Sequence, residues 1–153
     1  MLLRGRWRGA ADAGATDGAP ATDWMRASFF PADGFRWPMR QQVLEEFAAA
    51  EGVVWAGILS REGFIHEAAG ADSSNLEGVG SLAPAMLDAA DALSSASERG
   101  TTTRVTALGT AGTLVCERLA PDWHLLVRLE PGANLGLLRI TLSGCCDRLR
   151  ELL

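Results

Sequence analysis

The chain has 153 residues, of which 48% are hydrophobic and 22% are charged, and its formal net charge is −5. These proportions are ordinary for one globular domain with a tail, and they supply enough apolar residues for a core without disulfide bonds. The acidic balance argues against nucleic acid and against an anionic membrane surface as partners, because proteins that bind either usually carry a basic face.

The first 38 residues form an extension that is predicted to be partly disordered. Residues 1–23 are rich in Gly, Ala, Asp and Thr and show no hydrophobic period, which is typical of a disordered tail. Residues 1–9 lack the apolar run of a signal peptide. Residues 24–38 are strongly aromatic, and they either fold back on the domain or dock a partner. Folding back is favoured because exposed aromatic clusters are uncommon unless they are used.

A domain over residues 39–153 begins with a predicted helix and a β-hairpin. Apolar side chains recur at helical spacing over residues 39–51, and Gly52 ends this helix. Residues 53–60 form an apolar run that predicts a buried strand. The turn that follows has Gly63 where a positive φ is expected, and residues 64–69 pair back as the second strand.

The middle of the domain is predicted to be a long helix over residues 76–99, ended by Gly100. Residues 72–75 supply candidate N-caps. Pro84 removes a backbone hydrogen bond from such a helix, which leaves two possibilities. Either the helix starts near Ser81, so that Pro84 lies in its first turn, or it bends at Pro84.

This helix has two apolar faces. The large residues of one face should lie on the sheet: Leu76, Val79, Ala83, Met86, Leu87, Ala90 and Leu93. A second stripe of mostly small residues runs beside it: Gly78, Leu82, Ala85, Ala89, Ala92 and Ala96. Small residues let another helix approach closely, which favours a second packing surface. The alternative is that alanine favours helix anywhere and this chain is rich in alanine.

Three strands and a helix complete the domain. The strands are predicted over residues 101–110, 113–119 and 123–129, with short turns between them. Asn134 caps a last helix over residues 135–153, whose apolar positions form one stripe. Because strands joined by such short turns pair antiparallel, the sequence predicts an α+β fold with an antiparallel sheet and a helical layer.

Few residues suggest chemistry. Residues 78–83 match a G-x-G-x-x-A dinucleotide pattern, but no predicted strand precedes them, and the chain has no lysine for a P-loop. His66 and His124 have no second His or Cys at metal-ligand spacing. We therefore expect no cofactor, no metal and no catalytic residue.

The three cysteines are an odd number in a chain without an export signal, which indicates the reducing cytoplasm. Cys145 lies on the apolar stripe of the last helix. Cys146 is either buried and inert, the favoured prediction, or exposed and oxidisable. No run of about 18 apolar residues occurs, so no membrane insertion is expected.

Residues 52–65, Gly-Val-Val-Trp-Ala-Gly-Ile-Leu-Ser-Arg-Glu-Gly-Phe-Ile, resemble the opening of the roadblock / dynein light chain family. Members begin with a helix, a glycine, an apolar strand and an acidic-glycine turn. Residues 112–115 resemble the glycine-led fourth strand of that family. Residues 123–139, which contain Pro-Gly-Ala-Asn-Leu-Gly, are similar to its fifth strand and last-helix entry.

The resemblance implies a roadblock-like fold of five antiparallel strands, a long central helix and two flanking helices, layered as in profilin and longin domains. It also implies a dimer with the same chain or a related roadblock protein. In such dimers the long helices pack antiparallel and the third strands pair edge to edge. The expected dimer interface is Gly78, Leu82, Ala85, Ala89, Ala92, Ala96, Val105, Ala107 and Leu108.

Bacterial and archaeal members of this family commonly partner small Ras-like GTPases. The resemblance therefore implies a cytoplasmic, non-enzymatic, dimeric regulator of such a GTPase, with none of the 14 arginines singled out as a catalytic group acting in trans. The alternatives are a dimeric scaffold subunit without effect on GTP turnover and, less favoured, a small-molecule sensor.

Overall fold

The computed structural model describes residues 36–71 and 75–153. The predictions for the tail, for most of the aromatic segment 24–38 and for the N-caps at residues 72–74 lie outside these residues. In chain order the domain comprises the following elements: α1 (Arg36–Ala48), β1 (Val53–Ser60), β2 (Ile65–Gly70), α2 (Leu76–Gly80), α3 (Ala83–Ala96), β3 (Arg104–Gly109), β4 (Gly112–Ala120), β5 (Trp123–Leu129) and α4 (Leu135–Leu152).

The five strands form one antiparallel sheet in the order β2-β1-β5-β4-β3. This confirms the predicted α+β fold with a five-stranded antiparallel sheet. The central strands β1 and β5 are buried on both faces, because helices cover the sheet from both sides. The sheet therefore has two cores, and its two edges are β2 and β3.

One core lies between the sheet and the pair α1 and α4. Val43, Leu44 and Phe47 of α1 are buried there, as the helical spacing predicted. The stripe of α4 contributes its four central positions, which are all buried: Leu138, Leu142, Cys145 and Leu149. Alternate residues of β5 meet them, since successive side chains of a strand point to opposite faces.

The second core lies under α2 and α3. Trp55 and Leu59 of β1 and Leu126 of β5 point to this face and contact Leu76 of α2 and Leu87 of α3. The side chains of Trp55 and Leu59 are fully buried. Two helices with a break between them thus cover this side of the sheet.

The prediction of one long central helix over residues 76–99 was wrong, and the alternative that the helix starts near Ser81 with Pro84 in its first turn is confirmed. The chain forms α2, a turn at residues 81–82, and then α3, with Pro84 in the first turn of α3. Pro84 has no N–H to donate, and its ring conflicts with the carbonyl four residues earlier, which belongs to Gly80. A Cβ on Gly80 would approach Cδ1 of Ile65 to 2.7 Å. The glycine therefore allows the break to pack closely against β2.

Several predicted boundaries also shift. The first helix starts at Arg36 and ends at Ala48, three residues earlier at each end than predicted. The third strand starts at Arg104 and not at residue 101, because Thr102 binds α3 instead. The backbone N–H of Thr102 donates to Asp91 Oδ1 at 2.8 Å, and the hydroxyl groups of Ser94 and Thr102 lie 2.9 Å apart.

Two local predictions are confirmed. Asn134 caps α4, since its side-chain oxygen accepts from the backbone N–H groups of Gly136 at 3.1 Å and Leu137 at 3.2 Å. Gly63 has φ +91°, and a Cβ there would approach the carbonyl oxygen of Gly80 to 2.7 Å. None of the helices in the described residues is long and apolar enough to span a lipid bilayer.

Candidate interaction surface

The outward side of α3 is apolar. Leu82, just before α3, is 68% exposed and Leu93 is 72% exposed. Four exposed alanines lie between and beyond them: Ala85, Ala89, Ala92 and Ala96. At about 100° per residue, this stripe points roughly opposite to the two buried residues of α3, Ala83 and Leu87.

Leu93 was predicted to face the sheet, and this was wrong. The prediction assumed one continuous helix and gave residues 76–93 a single sheet-facing side. Residues 76–80 belong to a separate helix. Within α3 the sheet-facing side is set by Ala83 and Leu87. Asp91 anchors the C-terminal half by accepting from Nη2 of Arg118 at 2.7 Å, which turns Leu93 away from the sheet.

The second part of the surface is the edge strand β3. Val105 is half-buried, whereas residues 106–109 are exposed and Leu108 is 75% exposed. Only one side of β3 pairs, with β4, so the backbone groups of its other side are unpaired within this sheet. Long, exposed apolar edges promote pairing with another strand. Ala107 and Leu108 also line a groove of about 470 Å³ between the β3–β4 hairpin and α2.

The nine residues expected at the dimer interface thus lie in three places: on α2, on α3 with the turn before it, and on β3. Seven of them belong to the exposed side of α3 with its preceding turn or to the exposed residues of β3: Leu82, Ala85, Ala89, Ala92, Ala96, Ala107 and Leu108. Gly78 is also exposed but lies on α2, beyond the break. Val105 partly packs against the core under α3.

The model of the Roadblock/LC7 domain family matches residues 39–129. The chain belongs to the Roadblock/LC7 family. This match confirms the resemblance and includes residues 52–65, 112–115 and 123–129, whereas residues 130–139 lie beyond it. No curated protein matches the sequence.

Solved structures share the fold of this Roadblock/LC7 domain at low sequence identity. A Roadblock/LC7 domain from Streptomyces avermitilis is 14% identical, with a TM-score of 0.66, and the match covers 72% of this chain and 94% of that one. MglB from Myxococcus xanthus is 16% identical, with a TM-score of 0.68 and coverage of 74% and 94%. The gliding protein MglB from Thermus thermophilus is 19% identical, with a TM-score of 0.69 and coverage of 81% and 93%.

The three cysteines of this Roadblock/LC7 domain are buried and free. Burial raises the pKa of the thiols of Cys116, Cys145 and Cys146 to about 12. A thiol with such a pKa is almost entirely protonated at neutral pH, and the thiolate is the nucleophile. The prediction that Cys146 is buried is confirmed, and the alternative of an exposed thiol was wrong.

The two histidines occupy different surroundings. His66 is exposed on β2, and its ring packs edge-on against Trp123 with 4.7 Å between centroids. His124 is only 4% exposed on β5. Burial lowers the pKa of His124, the nearby Arg118 and Arg61 lower it further, and Asp122 and Asp88 oppose the shift. Among residues 36–71 and 75–153, no three His, Cys, Asp or Glu side chains are placed to hold a metal ion.

Proposed function

We propose that this Roadblock/LC7 domain is a cytoplasmic, non-enzymatic, dimeric regulator that binds a small Ras-like GTPase and modulates its nucleotide cycle. The observation that supports the proposal most directly is the exposed apolar side of α3.

A second copy of the chain suits the outward side of α3. Alanines leave little side-chain bulk, so the axes of two such helices can approach closely, while Leu82 and Leu93 add apolar area to the contact. In an antiparallel arrangement the leucine near the start of one helix lies opposite the leucine near the end of the other. Burial of these leucines in the contact removes large apolar side chains from water.

The edge of β3 extends the same contact. Two copies related by a twofold axis place their β3 edges side by side and antiparallel, which joins two five-stranded sheets into one. Backbone groups that lack a partner in one chain then pair with those of the other. The arrangement removes an exposed edge that would otherwise favour aggregation.

The GTPase is the partner that the family resemblance implies. Structures named MglB and MglC are among the proteins with this fold, and one MglB structure is described as a tetrameric arrangement. Association between Roadblock/LC7 chains is thus recorded for a protein of this fold. We infer that this chain acts by holding the switch region of its partner and not by donating a catalytic group.

A pull-down from the lysate of the native host tests the partner, with the tagged full chain as bait in a GTP analogue or in GDP. Retention of a P-loop GTPase only with the GTP analogue, followed by a change in its GTP turnover on addition of this protein, supports the proposal. Retention of the same proteins in both nucleotides, without an effect on turnover, favours a dimeric scaffold. If no GTPase binds and none changes its turnover, the regulator proposal is rejected.

A further inference from the structure

A groove between α4 and the edge strand β3 lies on the face of the sheet opposite α3. It has a volume of about 330 Å³. Arg104 and Thr106 of β3 form part of its floor. Its lining residues come from α4, β3 and β4, and β3 is the last strand of the sheet, so the groove is open on the side of the β3 edge. Four apolar residues line the rest of it: Val115, Leu135, Leu138 and Leu142.

The backbone of β3 presents only alternate residues to the free edge of the sheet. The carbonyl oxygen of Thr103 accepts from the backbone N–H of Arg118 at 2.8 Å, and β3 then pairs with β4 without a register shift. In an antiparallel pair the backbone groups of successive residues point to opposite sides of the strand. The odd-numbered residues that follow Thr103 therefore point to β4. The backbone groups of Arg104, Thr106 and Leu108 point outward, where a second strand can pair with them.

The side chain of Leu108 lies on the same face of the sheet as the groove. Val105 packs against the core under α3, whereas Thr106 lines the groove on the other face. Side chains two residues apart on a strand share a face, so Leu108 points to the side of Thr106. Leu108 is 75% exposed. The free edge of β3 thus carries a large apolar side chain that the described part of its own chain does not cover.

The twofold axis of the dimer proposed above limits which residue can lie opposite Leu108. Antiparallel strands pair residues whose backbone groups both point toward the other strand or both away from it. An axis between the two copies of Thr106 pairs residues 104–108, and an axis between the two copies of Ala107 pairs residues 105–109. Axes farther along the strand pair fewer residues of β3. In both longer registers Leu108 lies opposite Arg104 or Thr106 of the second copy, and both residues line the groove.

We propose that Leu108 of a second copy closes this groove, so that the dimer interface extends to α4 on the face of the sheet opposite α3. The inference rests on the dimer of the proposed function. Opposite residues of antiparallel strands have Cβ atoms about 4.5–5.5 Å apart, which brings the leucine to the open side of the groove. Glu117 already pairs with the guanidinium of Arg104, so the leucine meets the aliphatic part of that side chain and leaves no charge unpaired. Twofold symmetry makes the contact occur twice.

Sedimentation equilibrium of the full chain measures the contribution of Leu108 to the dimer. Leu108→Ala should raise the dissociation constant of the dimer at least about tenfold, because each copy loses a leucine that the contact buries. Ile140→Ala is the matched control, since Ile140 is 74% exposed on α4 and does not line the groove. This variant should dimerise as the parent chain does.

Methyl NMR of a mixture of ¹³C-labelled and unlabelled full chains tests the location of the contact. Isotope-filtered spectra should contain nuclear Overhauser effects between the methyl groups of Leu108 in one copy and those of Leu135, Leu138 or Leu142 in the other. These signals should be absent from the Leu108→Ala variant.

The outcomes separate this inference from the proposed dimer. If Ala89→Arg abolishes the dimer but Leu108→Ala dimerises as tightly as the parent, the inference is overturned and the dimer stands. The same conclusion follows if the parent is a dimer in which no signal connects Leu108 with the leucines of α4. A parent chain that is monomeric at all concentrations measured rejects both the inference and the dimer.

Discussion

Leu87 and Leu93 are two leucines of one helix with opposite surroundings. Leu87 is 2% exposed on the sheet-facing side of α3, whereas Leu93 is 72% exposed. The two residues are of the same type, and their spacing predicts that both lie on the sheet-facing side of one long helix. The break before α3 changes which side of α3 meets the sheet, and that change decides their different burial.

Leu87→Ala should therefore lower the free energy of unfolding by about 2–5 kcal/mol, because it leaves a cavity in a packed core. Leu93→Ala, the matched control on the same helix, should change it by no more than about 0.5 kcal/mol. Urea denaturation at protein concentrations low enough for the chain to be monomeric measures both. Equal losses for the two variants would contradict the burial of α3 described above.

The buried His124 predicts a dependence of stability on pH. Its pKa in the folded chain is lowered, first by burial and then by Arg118 and Arg61. The unfolded chain therefore binds more protons than the folded chain below the unfolded pKa of about 6.5. Stability associated with this group is fully present above that pH and is lost as the pH falls through the unfolded value toward the folded one.

His124→Gln should make the loss of stability between pH 7.5 and pH 5 shallower than in the parent chain, because glutamine does not titrate. Denaturant midpoints across this range, with the parent chain measured in parallel, give the two slopes. A variant that loses stability with the same slope would show that another group causes the dependence.

At the scale of elements, the two opposite sides of α3 have different surroundings. One side is held to the sheet by Leu87 and by the contacts of Asp91 with Arg118 and Thr102. The other side leaves small and large apolar residues in contact with solvent. A surface helix on a sheet requires only one apolar side, so the outward one is available for a partner helix.

Ala89→Arg should abolish the proposed dimer, because a long charged side chain cannot enter a close helix contact without leaving an unpaired buried charge. Light scattering coupled to size-exclusion chromatography should give the mass of one chain for this variant and of two for the parent. Ser95→Arg places the same side chain on an exposed position of α3 outside the stripe, and it should remain dimeric. An unchanged mass for Ala89→Arg would place the interface elsewhere.

At the scale of the whole molecule, the fold consists of three layers. α1 and α4 cover one face of the sheet, and α2 and α3 cover the other. On the α2–α3 side, the apolar stripe of α3 and the β3 edge are exposed, and we assign both to the contact with a second copy.

The sequence by itself determined the order of the strands along the chain, the capping of α4 by Asn134 and the turn at Gly63. These depend on contacts between near neighbours, on hydrophobic period and on the conformational freedom of glycine. It also determined the family, through motifs spread over most of the domain. Four of the five buried positions of α4 belong to the apolar stripe and followed from the helical period, whereas the burial of Cys146 did not.

Only the tertiary structure decided the rest. It placed Gly80 against Ile65, so that the central helix breaks, and it turned Leu93 outward. It also brought Arg61, Asp88, Arg118 and His124 to one cleft from four separate elements and turns of the chain. Residues far apart in sequence share no hydrophobic period. Whether they come close together therefore depends on how the layers pack, which no local sequence pattern predicts.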